Sequence, residues 1–180
     1  PKLSEWVGDR AVKDMKEHGY VVTNKLYEGT VGVKRTDIED DNLGIYAPMF
    51  EEMGYAAATH PDELVFSLLG KGFSTNCYDG QFFFDKDHPV AVNVDGTGGN
   101  ATVSNLIDAA ASPESKTPWY LLDVSRTLKP LIFQERTSPE LQAITDGKND
   151  TVFMKDQYLY GVRYRCNVGF GFWQQAVAVR

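Results

Sequence analysis

Apolar and polar residues follow two different periods in the first third of the chain. Residues 20–24 and 27–35 alternate as two short strands, which predicts a hairpin over 19–35 if residues 24–26 form a bend. The same three residues could instead continue a single strand. Between residues 48 and 69 the apolar positions recur at helical spacing, and a continuous helix of that length would span roughly 33 Å. The apolar stripe comprises Phe50, Met53, Ala57, Leu64 and Leu68.

Signals for helix ends surround this stretch. Thr36 and Glu39 have the spacing of a capping box, which predicts a short helix from Thr36. Pro48 suits the first turn of the long helix, and Gly70 suits its end. Pro61 lies inside the stripe and predicts that the helix kinks or restarts there.

The remainder of the chain is rich in strand signals. A turn at 78–80 precedes a predicted strand over 81–84, and residues 90–118 have the composition of a linker. Strands that are buried are predicted over 119–124 and 131–135, followed by a loop with a helical turn over 137–147. A β-rich tail over 158–179 completes an α+β architecture.

The charge of the chain argues against nucleic-acid recognition. It carries 18 basic and 25 acidic residues, a formal net charge of −7, and no cluster of lysine or arginine. The densest charge run, residues 37–41, is acidic and is interpreted as the solvated start of a helix. No apolar stretch approaches the ~20 residues that span a bilayer, and no signal peptide leads the chain. These features suit a protein of the cytoplasm with no membrane partner.

Few residues suggest catalysis or metal binding. Cys77 and Cys166 are far apart and form no CxxC motif, so buried thiols are a better interpretation than a disulfide, a metal site or a nucleophile. His88 follows two aspartates, and a polar turn before Pro89 explains that pattern better than a carboxylate–histidine site. The glycine-rich residues 96–100 lack the ending of a phosphate-binding loop. We therefore expect no catalytic residue, no metal and no cofactor.

Several segments, in order along nearly the whole chain, resemble the Mu-type phage major head subunit. The glycine–aromatic tail at 165–173 is the most specific of them. The segments are WVGDR (6–10), DIEDD (37–41), HPDELVF (60–66), CYDGQ (77–81), WYLLD (119–123), PLIFQ (130–134) and RCNVGFGFW (165–173).

This resemblance implies the tailed-phage (HK97-like) capsid fold, with an E-loop hairpin, a long spine helix, a peripheral-domain β-sheet and an axial domain. It assigns residues 1–36 to the E-loop and flanking strands, 37–89 to the peripheral domain with the spine helix, and 119–180 to its return strands. Only 90–118 remain for the axial domain, which is therefore expected to be reduced or missing.

The resemblance also implies a function, which is shell building without catalysis. Subunits would form pentamers and hexamers that close into an icosahedral head around double-stranded DNA, with scaffold, portal and decoration proteins as further partners. The protein would lie in the virion, and in the host cytoplasm during assembly. Candidate subunit-interface residues are Trp6, Arg10, Lys13, Lys16, Tyr20, Tyr27 and Arg35.

Two alternatives remain at this point. An encapsulin-like compartment would share the fold but would enclose cargo enzymes instead of DNA. A hydrolase that uses Cys77 or His88 belongs to a different class, and loss of a measurable activity on their replacement by alanine would support it.

Overall fold

A computed structural model describes residues 21–40, 44, 46–92, 98–108 and 117–180. Within these ranges the chain forms two compact units. The first includes Leu69–Ile132 and Phe170–Arg180, and the second comprises Val22–Leu68 and Phe133–Gly169. The domain boundaries that the resemblance implies, at residues 36, 89 and 118, remain a prediction.

The elements follow one another as strand β1 (Lys25–Lys34), helices α1 (Arg35–Glu39) and α2 (Tyr46–Gly70), and strands β2 (His88–Ala91), β3 (Asn100–Val103), β4 (Leu106–Ile107), β5 (Trp119–Leu122) and β6 (Leu131–Ile144). Helix α3 (Asp150–Lys155), strand β7 (Gln157–Phe170), a 3-10 turn (Trp173–Gln175) and strand β8 (Ala176–Val179) complete the chain.

The second unit is built on a three-stranded sheet in the order β1-β7-β6. Strand β1 pairs antiparallel with β7 along its whole length, from Lys25 opposite Cys166 to Lys34 opposite Gln157. Helix α2 packs aromatic side chains against this sheet, as in the contact between Phe50 and Tyr160, whose ring centroids are 4.3 Å apart.

The first unit contains a two-stranded sheet, β2-β3, and a three-stranded sheet in the order β4-β8-β5. Strand β8 pairs parallel with β4 and antiparallel with β5. Aromatic rings form the core of this unit: Phe83 and Phe170 are fully buried and stack with centroids 4.3 Å apart. Burial of such rings stabilises the unit, because each removes a large apolar surface from water.

The long helix is confirmed, and it extends by a few residues beyond the predicted ends to Tyr46–Gly70. It does not restart at Pro61, which lies inside one continuous helix. The capping box is wrong. Helix α1 begins one residue before Thr36, its N-cap Lys34 makes no side-chain hydrogen bond, and Glu39 pairs instead with Arg35 at 2.7 Å.

The hairpin predicted over 19–35 is wrong in its pairing. Residues 21–24 form no strand, and β1 finds its partner in β7, more than a hundred residues later. A local pattern of alternation shows that a strand forms, but not which distant strand supplies its hydrogen bonds.

Four further predictions about strands and loops are wrong. No regular strand covers 81–84, where only Phe82 bridges to Asn76. The linker-like stretch contains β3 and β4, and the loop predicted over 137–147 is strand as far as Ile144. Strands β5 and β6 are not uniformly buried: β5 alternates between exposed and partly buried residues, and most of β6 is exposed.

Gly171 provides a test of the packing in the first unit. A Cβ atom there would lie 2.2 Å from the carbonyl oxygen of Lys129, which is backbone and cannot turn away. We expect Gly171→Ala to lower the free energy of unfolding by about 2 kcal/mol or more, because the backbone must shift to relieve the overlap. Urea unfolding of both proteins measures this difference.

Gly147→Ala is the matched control. A Cβ atom at Gly147 meets no heavy atom within 4 Å, so its stability should change by less than about 0.5 kcal/mol. Equal effects of the two substitutions would contradict the crowding at Gly171.

Candidate assembly surfaces and a buried polar cluster

A tight turn over residues 77–81 positions Cys77, one of the two residues considered above as a possible catalytic group. Gly80 has a φ of +89°, which glycine adopts without strain, and the backbone N–H of Cys77 donates to the carbonyl oxygen of Gln81 at 2.8 Å. The turn directs the side chains of Cys77 and Asp79 toward His88 at the start of β2.

Asp79 is the centre of the resulting cluster. Its Oδ1 accepts hydrogen bonds from the Cys77 thiol at 2.9 Å and from the backbone N–H of Gln81 at 3.1 Å. Its Oδ2 lies 2.7 Å from Nδ1 of His88. The His88 ring is fully buried and stacks on Trp173, with ring centroids 3.8 Å apart. The cluster thus joins the turn, strand β2 and the 3-10 turn near the C-terminus.

Two pKa shifts follow from this environment. Burial, together with the hydrogen bond to Asp79, raises the pKa of the Cys77 thiol to about 12. Burial also disfavours the Asp79 carboxylate, but the hydrogen bonds from Cys77, His88 and Gln81 outweigh it and lower the pKa of Asp79. At neutral pH the cluster therefore contains a protonated thiol and a charged carboxylate.

This arrangement does not suit a nucleophile. A reactive cysteine needs a low pKa and access to solvent, whereas the Cys77 thiol is buried and stays protonated. The hydrogen bond of that thiol goes to Asp79 and not to the histidine that would serve as its base. The geometry thus favours a structural role over the hydrolase alternative.

The same three side chains form the one group in the described part of the chain that has metal-ligand composition. The sulfur, a carboxylate oxygen and a ring nitrogen lie within 4.8 Å of one another. Hydrogen bonds through Asp79 account for these short distances. Among the residues that the structure describes, no fourth ligand joins them, whereas structural zinc sites have four.

Asn105 is a second buried polar residue in this unit, and no sequence motif indicated it. Its Nδ2 donates to the carbonyl oxygens of Phe83 at 2.8 Å and of Trp173 at 3.3 Å. Its Oδ1 accepts from the backbone N–H of Asp85 at 2.9 Å. One side chain therefore satisfies three backbone groups from two distant segments, as buried polar groups require.

The sheet β4-β8-β5 has two faces of different character. The alanines of β8, Ala176 and Ala178, point inward and are fully buried. The opposite face, which we call the outer face, carries five apolar side chains from the three strands, and Trp119 and Leu121 are 75% and 73% exposed. The outer face consists of Ile107, Trp119, Leu121, Val177 and Val179.

The second unit also presents apolar side chains to solvent. They lie on helices α2 and α3, and the most exposed are Tyr55, Phe66, Phe153 and Met154. Strands β1 and β6 are the edge strands of its sheet among the described residues. Exposed apolar residues and open strand edges are features of surfaces that bind other protein chains.

The predicted interface residues divide into two groups. Trp6, Arg10, Lys13, Lys16 and Tyr20 lie outside the described residues. Tyr27 and Arg35 lie in the second unit. The Tyr27 ring packs edge-on against His60, with centroids 4.3 Å apart, whereas the Arg35 side chain is 47% exposed and pairs with Glu39. Arg35 is therefore the better placed of the two for an external contact.

The model of the Mu-like prophage major head subunit gpT matches residues 1–180. The chain belongs to this family. It is 57% identical over 180 residues to the major capsid protein of Escherichia phage Mu and 53% identical to the Mu-like prophage FluMu major head subunit of Haemophilus influenzae. All of the chain is matched in both cases, but it spans only 58% of the length of each relative.

Solved structures of phage heads agree with this assignment. The procapsid of bacteriophage JBD30 matches with a TM-score of 0.80 and 62% identity, over 99% of this chain and 59% of that one. The JBD30 capsid matches with a TM-score of 0.75 and 42% identity, over 99% of this chain and 56% of that one. The capsid fold predicted from the sequence motifs is thereby confirmed, and the matches do not favour the encapsulin alternative. No described helix is both long and apolar enough to cross a bilayer.

Removal of the Asp79 carboxylate tests the cluster. Asp79→Ala leaves three buried donors without an acceptor, and we expect it to lower the free energy of unfolding by about 2–4 kcal/mol. Asp123→Ala is the control. Asp123 also accepts bonds from the residue two positions later, but its side chain is 43% exposed, and its loss should cost less than about 1 kcal/mol. Urea unfolding measures the free energy of unfolding of both variants. Equal losses for Asp79→Ala and Asp123→Ala would contradict the role of Asp79.

The lowered pKa of Asp79 gives this contribution a pH dependence. A carboxylate with a lowered folded-state pKa stabilises the fold above its ordinary value of about 4, and that stability is lost as pH falls through the folded-state pKa. The stability difference between the native chain and Asp79→Asn should therefore shrink on acidification below about pH 4. A difference that grew in acid would show the opposite sign of shift.

Proposed function

We propose that this chain is the shell-building part of a major head subunit, which assembles with copies of itself into the icosahedral head of a tailed phage or prophage and encloses double-stranded DNA. The observation that carries the proposal is the family match over the whole chain, together with likeness to capsid structures at a TM-score of 0.80. The protein would reside in the virion after assembly in the host cytoplasm.

The surfaces of both units support this proposal. A shell subunit contacts several neighbours through repeated interfaces, and it therefore needs more exposed apolar surface than a monomer. The outer face and the exposed side chains of α2 and α3 provide such surface. We infer that the protein has no catalytic role, because the candidate cluster found among the described residues is buried and its thiol is protonated.

The charge of the chain supports enclosure of DNA without sequence recognition. A net charge of −7 gives no electrostatic attraction to phosphates, so packaged DNA would be confined rather than bound. The scaffold, portal and decoration proteins are proposed as further partners. A relative's head is described as decorated with minor capsid protein trimers, which makes a decoration partner the best supported of the three.

Electron microscopy of the full-length purified protein tests the proposal directly. Closed shells or capsomer-sized rings are the expected result. A protein that stays monomeric at micromolar concentration, with or without scaffold, would overturn it, and particles filled with protein cargo and free of DNA would favour the encapsulin alternative.

The N-terminal interface candidates allow a more specific prediction. Deletion of residues 8–18, which removes Arg10, Lys13 and Lys16, should abolish shells because the E-loop would no longer reach a neighbouring subunit. The two described units should remain folded, with an unchanged circular dichroism spectrum. Particles of normal size from this variant would refute the role of the segment.

A further inference from the structure

We propose that the outer face of the sheet β4-β8-β5 is a contact surface for a second copy of this chain in the assembled head. This inference rests on the proposed function and names one of its interfaces. The face carries Ile107, Trp119, Leu121, Val177 and Val179, all within the first unit.

The register of the sheet places these side chains side by side. Trp119 lies opposite Val179, which in turn lies opposite Ile107 on the other neighbouring strand, so the three form one row across the sheet. Leu121 lies opposite Val177 in the next row on the same face. The result is a continuous apolar surface and not a set of scattered exposed residues.

The face differs from the rest of the protein in its charge. None of its five side chains is ionisable, although nearly a quarter of the chain is charged and the net charge is −7. Arg180, which directly follows β8, does not join the face, because its guanidinium lies 5.3 Å from the centre of the Phe73 ring. Copies of an acidic chain repel one another, and an uncharged face is where they can approach with least electrostatic cost.

The size of the face favours a second copy over a tightly bound partner. Five apolar residues expose on the order of a few hundred Å², which exceeds ordinary scattered exposure but falls below the ~800 Å² per partner of a stable two-protein complex. Such a contact is weak alone. It becomes effective when a closed array repeats it many times, as the shells of similar proteins would.

Chemical labelling of Leu121→Cys in the full-length protein tests this contact. Within this chain the native thiols Cys77 and Cys166 are buried and give little background. Maleimide should label the new thiol readily in dispersed subunits and about tenfold or more slowly in closed particles. The matched control is Thr127→Cys, which is exposed, lies in the same unit and lies off the face. It should label equally in both states.

Each other outcome counts against the inference. Equal labelling of Leu121→Cys in subunits and particles would show that the face stays open. Protection already present in dispersed subunits would mean that the remainder of the longer protein covers it. Protection that appeared only after a minor capsid protein was added would assign the face to that partner.

A charge substitution gives an independent readout. The Leu121→Lys protein should form few closed particles in electron micrographs, whereas the Thr127→Lys protein should form as many as the native chain. Both variants should unfold at the same temperature as the native chain. Normal particles from Leu121→Lys would overturn the inference. Absence of particles from the unmodified protein would instead contradict the proposed function itself, so the two failures are distinguishable.

Discussion

The charged carboxylate of Asp79 is the constraint on which the first unit depends. It is held inside the unit by three donors from the turn at 77–81 and from His88. His88 stacks on Trp173, and the 3-10 turn that contains Trp173 leads directly into β8. Strand β8 is the centre of the sheet that carries the outer face. A buried polar contact thus determines where an exposed apolar surface lies.

This arrangement explains why the residues with the most reactive chemistry are not used for reaction. Cys77 and His88 have the side chains of a catalytic pair, but each directs its hydrogen bond to Asp79. Burial keeps the thiol protonated, and the stacked Trp173 closes the histidine from solvent. Buried hydrogen-bond networks of this kind favour one packing arrangement, and that is a useful property for a subunit that must fit many identical neighbours.

The sequence allowed prediction of elements with a strong local period, above all helix α2, whose apolar stripe and terminal Gly70 define it. Prediction from the sequence failed where a strand or a side chain bonds to residues far away along the chain. Nothing near Lys25 indicates that β1 pairs with residues 157–166, and nothing near Asn105 indicates that its amide joins Phe83 to Trp173. Cys77 and His88 were recognised separately, but Asp79 was missed because its role depends on the turn that brings it between them.

Association of such subunits is a balance between apolar contact and repulsion of like charges. If burial of uncharged faces drives assembly against a net charge of −7, screening by salt should help it. The most direct measurement is the concentration at which full-length protein forms shells, determined by sedimentation across a range of sodium chloride concentrations. We predict that the protein concentration needed for shell formation falls as sodium chloride rises from about 50 to 500 mM. A concentration that rises with salt would contradict it, because ion pairs between subunits would then be the dominant attraction.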